Sequence, residues 1–464
     1  MKQIKIMMIS KKRIKRNLLL FTTSSIGLYL LISLYFTNHF FFQTVINGVN
    51  VSLMSHNDAS DIINKYVQKY ELQLIDRNGE TDIITSQDIG MKYNKDSTVS
   101  QVYQRQAPLL WFGSLFHKNQ FYAKELYDYS NTLLEKKLDE LKCFQGKIVE
   151  PRNVEFKYSD GYYEIIKEVY GNKINRASLV NVVNKYISEG RKRLDLNYTN
   201  CYEIPKYTYE SAKTLSTKKR LDQYVTTRIT YRFGSVTELL DGATLHRWLT
   251  VDENLEVVIN REEVAKYIKV LSKKYDTVGI IREFQSTTGK KVEVQGGLYG
   301  WRIDRDAETK ALISNIKQAD KLEKEPIYRQ RAISREGNEI GNTYIEINIS
   351  KQHLWFYKDG KLIVQGSIVT GNPNRGNATV LGAYMINYKQ RGATLTGPNY
   401  EAKVTYWMPF FGNIGLHDAS WRSRFGGEIY LRNGTHGCVN APIYLAKTVF
   451  ENIEEGTPVI LYKE

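Results

Sequence analysis

The stretch of sequence that decides the fold is Asn433-Gly434-Thr435-His436-Gly437-Cys438-Val439-Asn440. It places Cys438 in a tight, glycine-containing turn, with a histidine two residues before it. A thiol must become a thiolate to attack, and a nearby imidazole lowers the thiol pKa or takes its proton. A glycine beside the nucleophile lets backbone N–H groups turn inward, where they stabilise an oxyanion. The stretch indicates a cysteine nucleophile, and the alternative is a buried, inert thiol.

The candidate base lies upstream, in Ile414-Gly415-Leu416-His417-Asp418. His436 is nearer to Cys438 in sequence, but a turn need not aim both side chains at one point, so His417 from an adjacent strand is the better base. Zinc binding by His417, His436 and Cys438 is chemically conceivable. The His-x-Cys adjacency strains tetrahedral geometry, however, and no second ligand pair is present. We therefore expect no metal and no cofactor.

The surroundings of these residues alternate in a way that is typical of β structure. Residues 344–349 read Tyr-Ile-Glu-Ile-Asn-Ile, and Lys358-Asp359-Gly360 between two apolar runs is a hairpin signal. Further strand-like runs and one helix near the end complete a stretch of about 120 residues. The pattern predicts a compact, mostly-β domain over 343–464, set off by Pro326 and the polar run 334–342.

The order of His417, then 17 residues, then Thr-His-Gly-Cys-Val-Asn resembles the signature of the L,D-transpeptidase catalytic domain. The likeness covers about 343–463 and includes Val369-Thr370-Gly371. Two positions depart from the family pattern: 379–382 reads Thr-Val-Leu-Gly without the usual proline, and Asn440 stands where many members have arginine. The order of base before nucleophile also argues against papain-like peptidases.

The resemblance implies a role for each site residue. Cys438 would attack a donor tetrapeptide stem at its third residue and expel D-Ala, and His417 would be the base, oriented by the backbone carbonyl of Asp418. Carbapenem-type β-lactams acylate this thiol in the family. The resemblance gives oxyanion or substrate-binding roles to Gly437, His436, Thr435 and Asn440. Tyr406 and Trp407 are equally well explained as a substrate wall or as core packing.

The implied product is a 3→3 cross-link between peptidoglycan stem peptides, which serve as donor and acceptor. Two alternatives stay open. With water as acceptor the same site would be an L,D-carboxypeptidase, and with a vestigial catalytic domain the chain would be a non-catalytic cell-wall-binding protein.

The N-terminus carries a concentration of positive charge. The net charge is +15, of which residues 1–17 hold +7, and no charged residue occurs from Asn17 to Asn57. The apolar run 18–36 would span about 28 Å, close to the ~30 Å of a bilayer core. The sequence predicts a cytoplasmic basic segment at 1–17 and an uncleaved, single-pass signal anchor at 18–37. Everything after it would lie outside the cell membrane, facing the wall.

The charge distribution also limits the partners of the chain. The remaining +8 is mild and is not gathered beside stacking aromatics, so we expect no nucleic acid, whereas anionic wall polymers are candidate partners. Three cysteines exclude a disulfide-stapled mini-domain and a four-cysteine zinc site. Cys143 and Cys201 could form a disulfide or stay as buried thiols. The apolar run 109–116 is most simply a core segment, and the alternative is a membrane or partner contact.

The middle of the chain contains a repeated motif. Residues 170–176 read Tyr-Gly-Asn-Lys-Ile-Asn-Arg, and 299–305 read Tyr-Gly-Trp-Arg-Ile-Asp-Arg. The pair predicts a glycine turn followed by a capped helix in two related α+β domains, at 58–200 and 205–330, after a stalk at 38–57. The region resembles the domain named for peptidoglycan binding that precedes the catalytic domain in many Gram-positive L,D-transpeptidases. The predicted fold class is therefore an α+β multidomain chain with an N-terminal transmembrane helix.

Overall fold

The computed structural model describes residues 2–94, 99–122, 126–397 and 400–464, with side chains from residue 13 onward and without that of Tyr400. The chain divides into two compact units. The first consists of residues 1–155 and 166–211, and the second of 156–165 and 212–464.

The basic and apolar N-terminus forms one helix, Lys2–Tyr35, which we call the N-terminal helix. Its part Arg13–Tyr35 is the one helical stretch in the described ranges that is long and apolar enough to cross a membrane. Every leucine of this stretch is more than half exposed, so the protein itself does not cover them. The expected apolar helix is confirmed, and its crossing of a membrane stays a prediction.

The residues that follow the N-terminal helix correct one expectation. Residues 38–57 do not form a separate stalk, because Phe40, Ile46 and Val51 are fully buried in the core of the first unit. The Asn47-Gly48 turn joins two short strands, Thr44–Ile46 and Val49–Asn50, and both turn residues have positive φ. An apolar stretch of this kind stabilises a fold by burial, so it joins the nearest core.

The first unit packs short strands against several helices. Its central sheet pairs Glu71–Ile75 with Thr81–Thr85 antiparallel and with Arg193–Asp195 parallel. Cys143 and Cys201 both belong to this core and are free thiols, so no disulfide joins them. The further helices are His56–Gln68, Val99–Gln104, Asn131–Asp139, Lys142–Gln145 and Arg176–Ser188, with 3-10 turns at Pro108–Leu115 and Leu196–Tyr198; the remaining strands are Lys92–Tyr93, Asn119–Phe121 and Tyr127–Asp128.

The second unit begins by repeating this plan. Arg228–Phe233 pairs antiparallel with Val236–Leu240 and parallel with Lys321–Lys324. In both units a helix precedes the hairpin, and a second helix leads into the parallel strand. The prediction of two related α+β domains is confirmed at the level of this topology.

The repeated motif has the same physical basis in both copies. Gly171 and Gly300 have φ of +64° and +140°, and a Cβ at either position would lie within 2.5 Å of a backbone carbonyl oxygen. Asn175 and Asp304 cap the helices that follow, accepting from the N–H of Ser178 and Ala307. The motif therefore combines a close backbone approach, which only glycine permits, with an N-cap.

One hairpin lies on the other side of the predicted domain boundary. The strands Glu155–Ser159 and Tyr162–Ile166 fall within the range expected for the first domain, yet residues 156–165 belong to the second unit. The Tyr163 N–H donates to Asp222 at 2.7 Å, and the Tyr158 ring stacks on His246 at 4.2 Å. Aromatic packing against the helix Ala212–Val225 thus overrides proximity in sequence.

The C-terminal part of the second unit is built from two sheets, as the alternation predicts. The five-stranded sheet has the order Lys361–Ser367, His353–Lys358, Tyr344–Asn348, Pro458–Tyr462, Gly382–Met385; the four-stranded sheet has the order Gln390–Gly397, Tyr400–Phe411, Ile414–Asp418, Val439–Ala441. A buried aliphatic and aromatic core lies between them, covered by the helix Ile443–Asn452. The remaining elements of the unit are the helices Gly242–Leu245, Arg261–Tyr275, Arg305–Gln318 and Ile429–Asn433, the 3-10 turns His246–Trp248 and Pro373–Arg375, and the strands Leu249–Val251, Val257–Ile259, Arg282–Gln285, Lys291–Val294, Arg302–Ile303 and Tyr328–Gln330.

A linking layer fastens the second repeat to the five-stranded sheet. Phe284 and Tyr299 pack in one cluster with Ile460 and Tyr462. The backbone of Gly297 forms a bridge to Ala383 so close that a Cβ there would lie 2.0 Å from the Ala383 carbonyl oxygen. This backbone contact has no room for a side chain.

We expect Gly297→Ala to destabilise the second unit, because the new methyl would push the bridged backbones apart. Gly296→Ala is the matched control: its φ is also positive, at +80°, but a Cβ there meets nothing within 4 Å. Backbone strain of about 1–3 kcal/mol is common to both variants, so the clash adds to it only at Gly297. Thermal unfolding of the full chain in detergent should show a midpoint for Gly297→Ala at least ~4 °C below that of the control. Equal midpoints would contradict the steric argument.

Candidate active site

Strand pairing brings the two ends of the signature together. Ile414–Asp418 runs parallel to Val439–Ala441, with His417 opposite Asn440, and Cys438 immediately precedes the second strand. His417 and Cys438 line one open cavity of about 500 Å³. The other residues that line it are Leu395, Glu401, Ala402, Lys403, Trp421, Arg422, Asn433, Gly434, Thr435, His436 and Asn440.

The orientation of His417 follows from its backbone neighbour. His417 is only 4% exposed, and its Nδ1 lies 2.9 Å from the carbonyl oxygen of Asp418. A carbonyl can only accept, so Nδ1 carries the proton of the neutral ring and Nε2 keeps its lone pair. The Asp418 carboxylate is engaged elsewhere, accepting from the N–H groups of Thr405 and Tyr406 at 2.8 and 2.7 Å. The main chain of Asp418, and not its carboxylate, therefore sets the imidazole tautomer.

Threonine hydroxyls hold the turn before the thiol. Gly437 has φ +121°, and its N–H donates to Thr435 Oγ1 at 3.0 Å. Thr435 Oγ1 in turn donates to the Cys438 carbonyl at 2.6 Å, while Thr379 Oγ1 donates to the Gly437 carbonyl at 2.8 Å. The Gly437 N–H thus already has an acceptor in this turn, and the oxyanion or substrate-binding role expected of Gly437 stays a prediction. The sequence reasoning missed the hydrogen bond of Thr379 and considered only that no proline follows this residue.

Burial keeps both reactive groups neutral. Desolvation lowers the pKa of His417, and the positive charge of Arg422 adds to this, against the opposing effects of the hydrogen bond to Asp418 and its charge. Desolvation raises the pKa of Cys438, partly offset by a backbone hydrogen bond from Gly415. The Cys438 Sγ lies 3.5 Å from the Asn413 carbonyl oxygen, an arrangement that suits a protonated thiol as donor. Both shifts favour the neutral thiol and the neutral imidazole over an ion pair.

The other predicted residues are distributed between the cavity and the core. Thr435, His436 and Asn440 line the cavity, with His436 exposed and Asn440 buried. Trp407 lies behind it, in a small apolar cluster with Cys438 and with its ring 5.8 Å from that of His417. Tyr406 points into the core against Phe450, so the substrate-wall alternative does not describe its position.

The sequence reasoning missed the charged and aromatic wall between the two ends of the signature. Trp421 is 52% exposed, and its ring lies 6.0 Å from that of His417. The Arg422 Nε is buried without a hydrogen-bond partner among the described residues. The run Trp421-Arg422-Ser423-Arg424 in the loop after His417 was the available signal. Within the described part of the chain, no group of three or more His, Cys, Asp or Glu side chains could hold a metal ion.

Comparisons with known proteins identify two kinds of domain in this chain. A family model described as "L,D-transpeptidase catalytic domain" matches residues 342–461, and one described as "Putative peptidoglycan binding domain" matches 83–195 and 210–324. A crystal structure of a cysteine-to-serine mutant of Enterococcus faecium L,D-transpeptidase is 33% identical, covering 54% of this chain and 100% of that one, with a TM-score of 0.43. The catalytic domain of the E. faecium enzyme, solved by NMR, is 39% identical over 26% of this chain and 97% of that one, with a TM-score of 0.25.

A curated relative extends the likeness to another organism. The "Putative L,D-transpeptidase YciB" of Bacillus subtilis is 24% identical over 163 residues, which is 33% of this chain and 84% of that protein.

We expect Cys438 to react with iodoacetamide slowly at pH 7 and about tenfold faster with each pH unit up to pH 9, because its pKa lies above the usual 9.0 and only the thiolate reacts. Peptide mass spectrometry of the full chain measures the rate. A cysteine placed at the exposed Ser423 is the control, and its rate should reach half of its maximum near pH 8.5. A plateau for Cys438 below pH 8 would instead indicate a thiolate–imidazolium pair.

Proposed function

The chain belongs to the L,D-transpeptidase family, and we propose that it is a membrane-anchored enzyme that forms 3→3 peptidoglycan cross-links through a thioester on Cys438. Membership of this family supports a general activity in peptidoglycan cross-linking for the chain. The observation that carries the finer proposal is that Cys438 and a His417 with an unprotonated Nε2 line one cavity.

The first half-reaction is the acylation of the thiol. The Cys438 S–H proton moves to His417 Nε2 as the sulfur attacks the carbonyl carbon of the third residue of the donor stem. The C–S bond forms, and the carbonyl electron pair moves to oxygen. When the tetrahedral adduct collapses, the C–N bond to D-Ala breaks and the imidazolium returns the proton to the leaving amine. Because both groups start neutral, the proton transfer accompanies the attack.

The oxyanion requires a donor on the main chain. The Gly437 N–H is held by Thr435, which leaves the Cys438 N–H as the donor that we propose for this charge. Thr435 and Thr379 hold the carbonyls of Cys438 and Gly437, so they keep the two peptide planes oriented before substrate arrives. Because the peptide planes are already oriented, little reorganisation is needed when negative charge develops on the adduct oxygen.

The second half-reaction returns the thiol. His417 Nε2 takes a proton from the acceptor side-chain amine, which attacks the thioester carbonyl and displaces Cys438 as thiolate. The thiolate recovers the proton from the imidazolium. Water in place of the amine would give the L,D-carboxypeptidase outcome from the same acyl-enzyme.

The charged wall of the cavity suits an ionic substrate. Lys403 and Arg422 are cationic and Glu401 is anionic, while a donor stem offers carboxylates and an amine. Arg422 is half-buried and has an unpartnered Nε, so a carboxylate of the stem would satisfy it. We assign it to recognition of the donor carboxylate, next to the exposed indole of Trp421.

The N-terminus supports a location at the cell membrane with the catalytic domain outside. The helical stretch Arg13–Tyr35 has the length and composition to cross a bilayer, and the residues before it are basic. The two regions that match the peptidoglycan-binding family model favour a wall-facing position. We also propose that carbapenem-type β-lactams acylate Cys438, because the E. faecium catalytic domain has been solved acylated by ertapenem.

We expect Cys438→Ala to abolish dimer formation from a disaccharide-tetrapeptide by the full chain in detergent, and His417→Ala to slow it by about 10²–10⁴-fold. His353→Ala is the matched control, because this histidine lies on the hairpin of the five-stranded sheet and should leave the rate unchanged. Mass spectrometry of the products is the measurement. Dimers from Cys438→Ala would contradict the assignment of the nucleophile, and tripeptide alone from the native chain would favour the carboxypeptidase.

We expect Arg422→Gln to lower kcat/KM by about 10–100-fold, mainly through KM, because a charge-assisted hydrogen bond to the donor is lost. Its charge also lowers the pKa of His417, so the acid limb of the kcat profile should move to higher pH in the variant. Arg424→Gln is the control, since Arg424 is exposed and does not line the cavity. An unchanged KM with an unchanged acid limb would exclude this role.

A further inference from the structure

The segment 108–116 presents an apolar surface that the protein does not cover. Leu110 and Phe116 are 70% and 68% exposed, and Leu109, Phe112 and Leu115 are exposed as well. Trp111 and Ser114, one 3-10 turn apart, are the buried members. The single polar side chain of 109–116 therefore faces the protein, and every exposed side chain is apolar. The expectation that this run is a core segment is wrong.

This apolar segment lies against the N-terminal helix. The Tyr29 hydroxyl donates to the Leu109 carbonyl, and the Tyr29 ring lies 5.3 Å from that of Trp111. Phe36, at the end of the helix, also contacts the Trp111 ring, at 6.0 Å. The segment thus follows the last turns of the helix that we propose to be the membrane anchor.

Side-chain amides fasten the segment at both ends. Gln106 accepts from the Phe41 N–H at 2.9 Å and donates to the His39 carbonyl at 3.2 Å. At the other end of the apolar surface, Gln43 donates to the Leu115 carbonyl at 2.9 Å. These bonds join the segment to the loop that leaves the helix, so its position relative to the helix end is fixed.

The depth of the contact can be estimated along the helix axis. Tyr29 precedes the helix end at Tyr35 by six residues, which corresponds to about 9 Å at 1.5 Å per residue. An interfacial helix buries its apolar face ~5–10 Å into the boundary between headgroups and acyl chains. The segment would therefore lie at the outer boundary of a bilayer that the N-terminal helix crosses.

We propose that residues 109–116 insert into the outer leaflet of the membrane as a second attachment beside the N-terminal helix; this rests on the membrane anchoring that we propose above. The continuity of the apolar surface with the exposed leucines of the helix favours lipid over a protein partner. The exposed Arg105 and Lys118 on either side favour anionic headgroups. Two adjoining attachments would prevent the first unit from rotating about the helix, so one side of it would always face the bilayer.

Nitroxide labels in the full chain test the proposal. Labels are attached at Leu110→Cys and Phe112→Cys, with Cys438→Ala as background; burial raises the pKa of the native Cys143 to about 12 and that of Cys201 as well, which keeps both unreactive at pH 7. The vesicles contain equal parts of phosphatidylcholine and phosphatidylglycerol. Collision with oxygen and with a water-soluble nickel chelate is measured by electron paramagnetic resonance. Leu28→Cys on the helix and Tyr198→Cys, which is 90% exposed in the first unit, are the controls.

The expected result is that labels at 110 and 112 collide preferentially with oxygen, as at Leu28, whereas the label at Tyr198 collides with nickel. Nickel access at 110 and 112 with a lipid-embedded Leu28 would overturn the second attachment and leave the anchor standing. Exclusion of both reagents at 110 and 112 would identify a protein contact and would also overturn it. Nickel access at Leu28 would overturn the anchor and this inference together.

Discussion

The parallel pairing of Ile414–Asp418 with Val439–Ala441 is the constraint on which the site depends. A parallel pair needs a crossover connection, and the connection here carries Trp421 and Arg422 before it reaches Cys438. The same pairing places His417 opposite Asn440 and starts the second strand directly after Cys438. The positions of the proposed base, the proposed nucleophile and the charged wall thus follow from one register.

Burial favours a site that is neutral at rest. The desolvation that lowers the pKa of His417 also raises the pKa of Cys438, and both shifts favour the thiol and the imidazole over an ion pair. The hydrogen bond from His417 Nδ1 to the Asp418 carbonyl fixes the orientation of the ring and leaves Nε2 free to accept a proton, although the imidazole is a weaker base. A thiol kept protonated is also less exposed to oxidation, which follows thiolate character.

Within the second unit, ordinary packing joins the second repeat to the sheets that carry the site. The second repeat is joined to the five-stranded sheet by an apolar layer and by the bridge at Gly297, where backbone meets backbone. The first unit repeats the same topology and adds the loop after the N-terminal helix to its own core. The burial of Phe40, Ile46 and Val51 in that core explains why residues 38–57 fold and do not form a stalk.

The features of the fold and the site that follow from the sequence alone are those that depend on local chemistry. The alternation of apolar residues, the glycine turn with its cap at Asn175 and Asp304 and the length of the N-terminal helix are all properties of short stretches, and each could be predicted from the sequence. The choice of Cys438 and His417 as candidate nucleophile and base also rests on short stretches. The tertiary structure alone decided which N–H groups are already engaged in hydrogen bonds, and that Tyr406 packs in the core while Trp407 packs beside Cys438. It also decided where the hairpin 156–165 packs, and that residues 109–116 stay uncovered. These depend on contacts between residues far apart in sequence, whose register and burial no local pattern encodes.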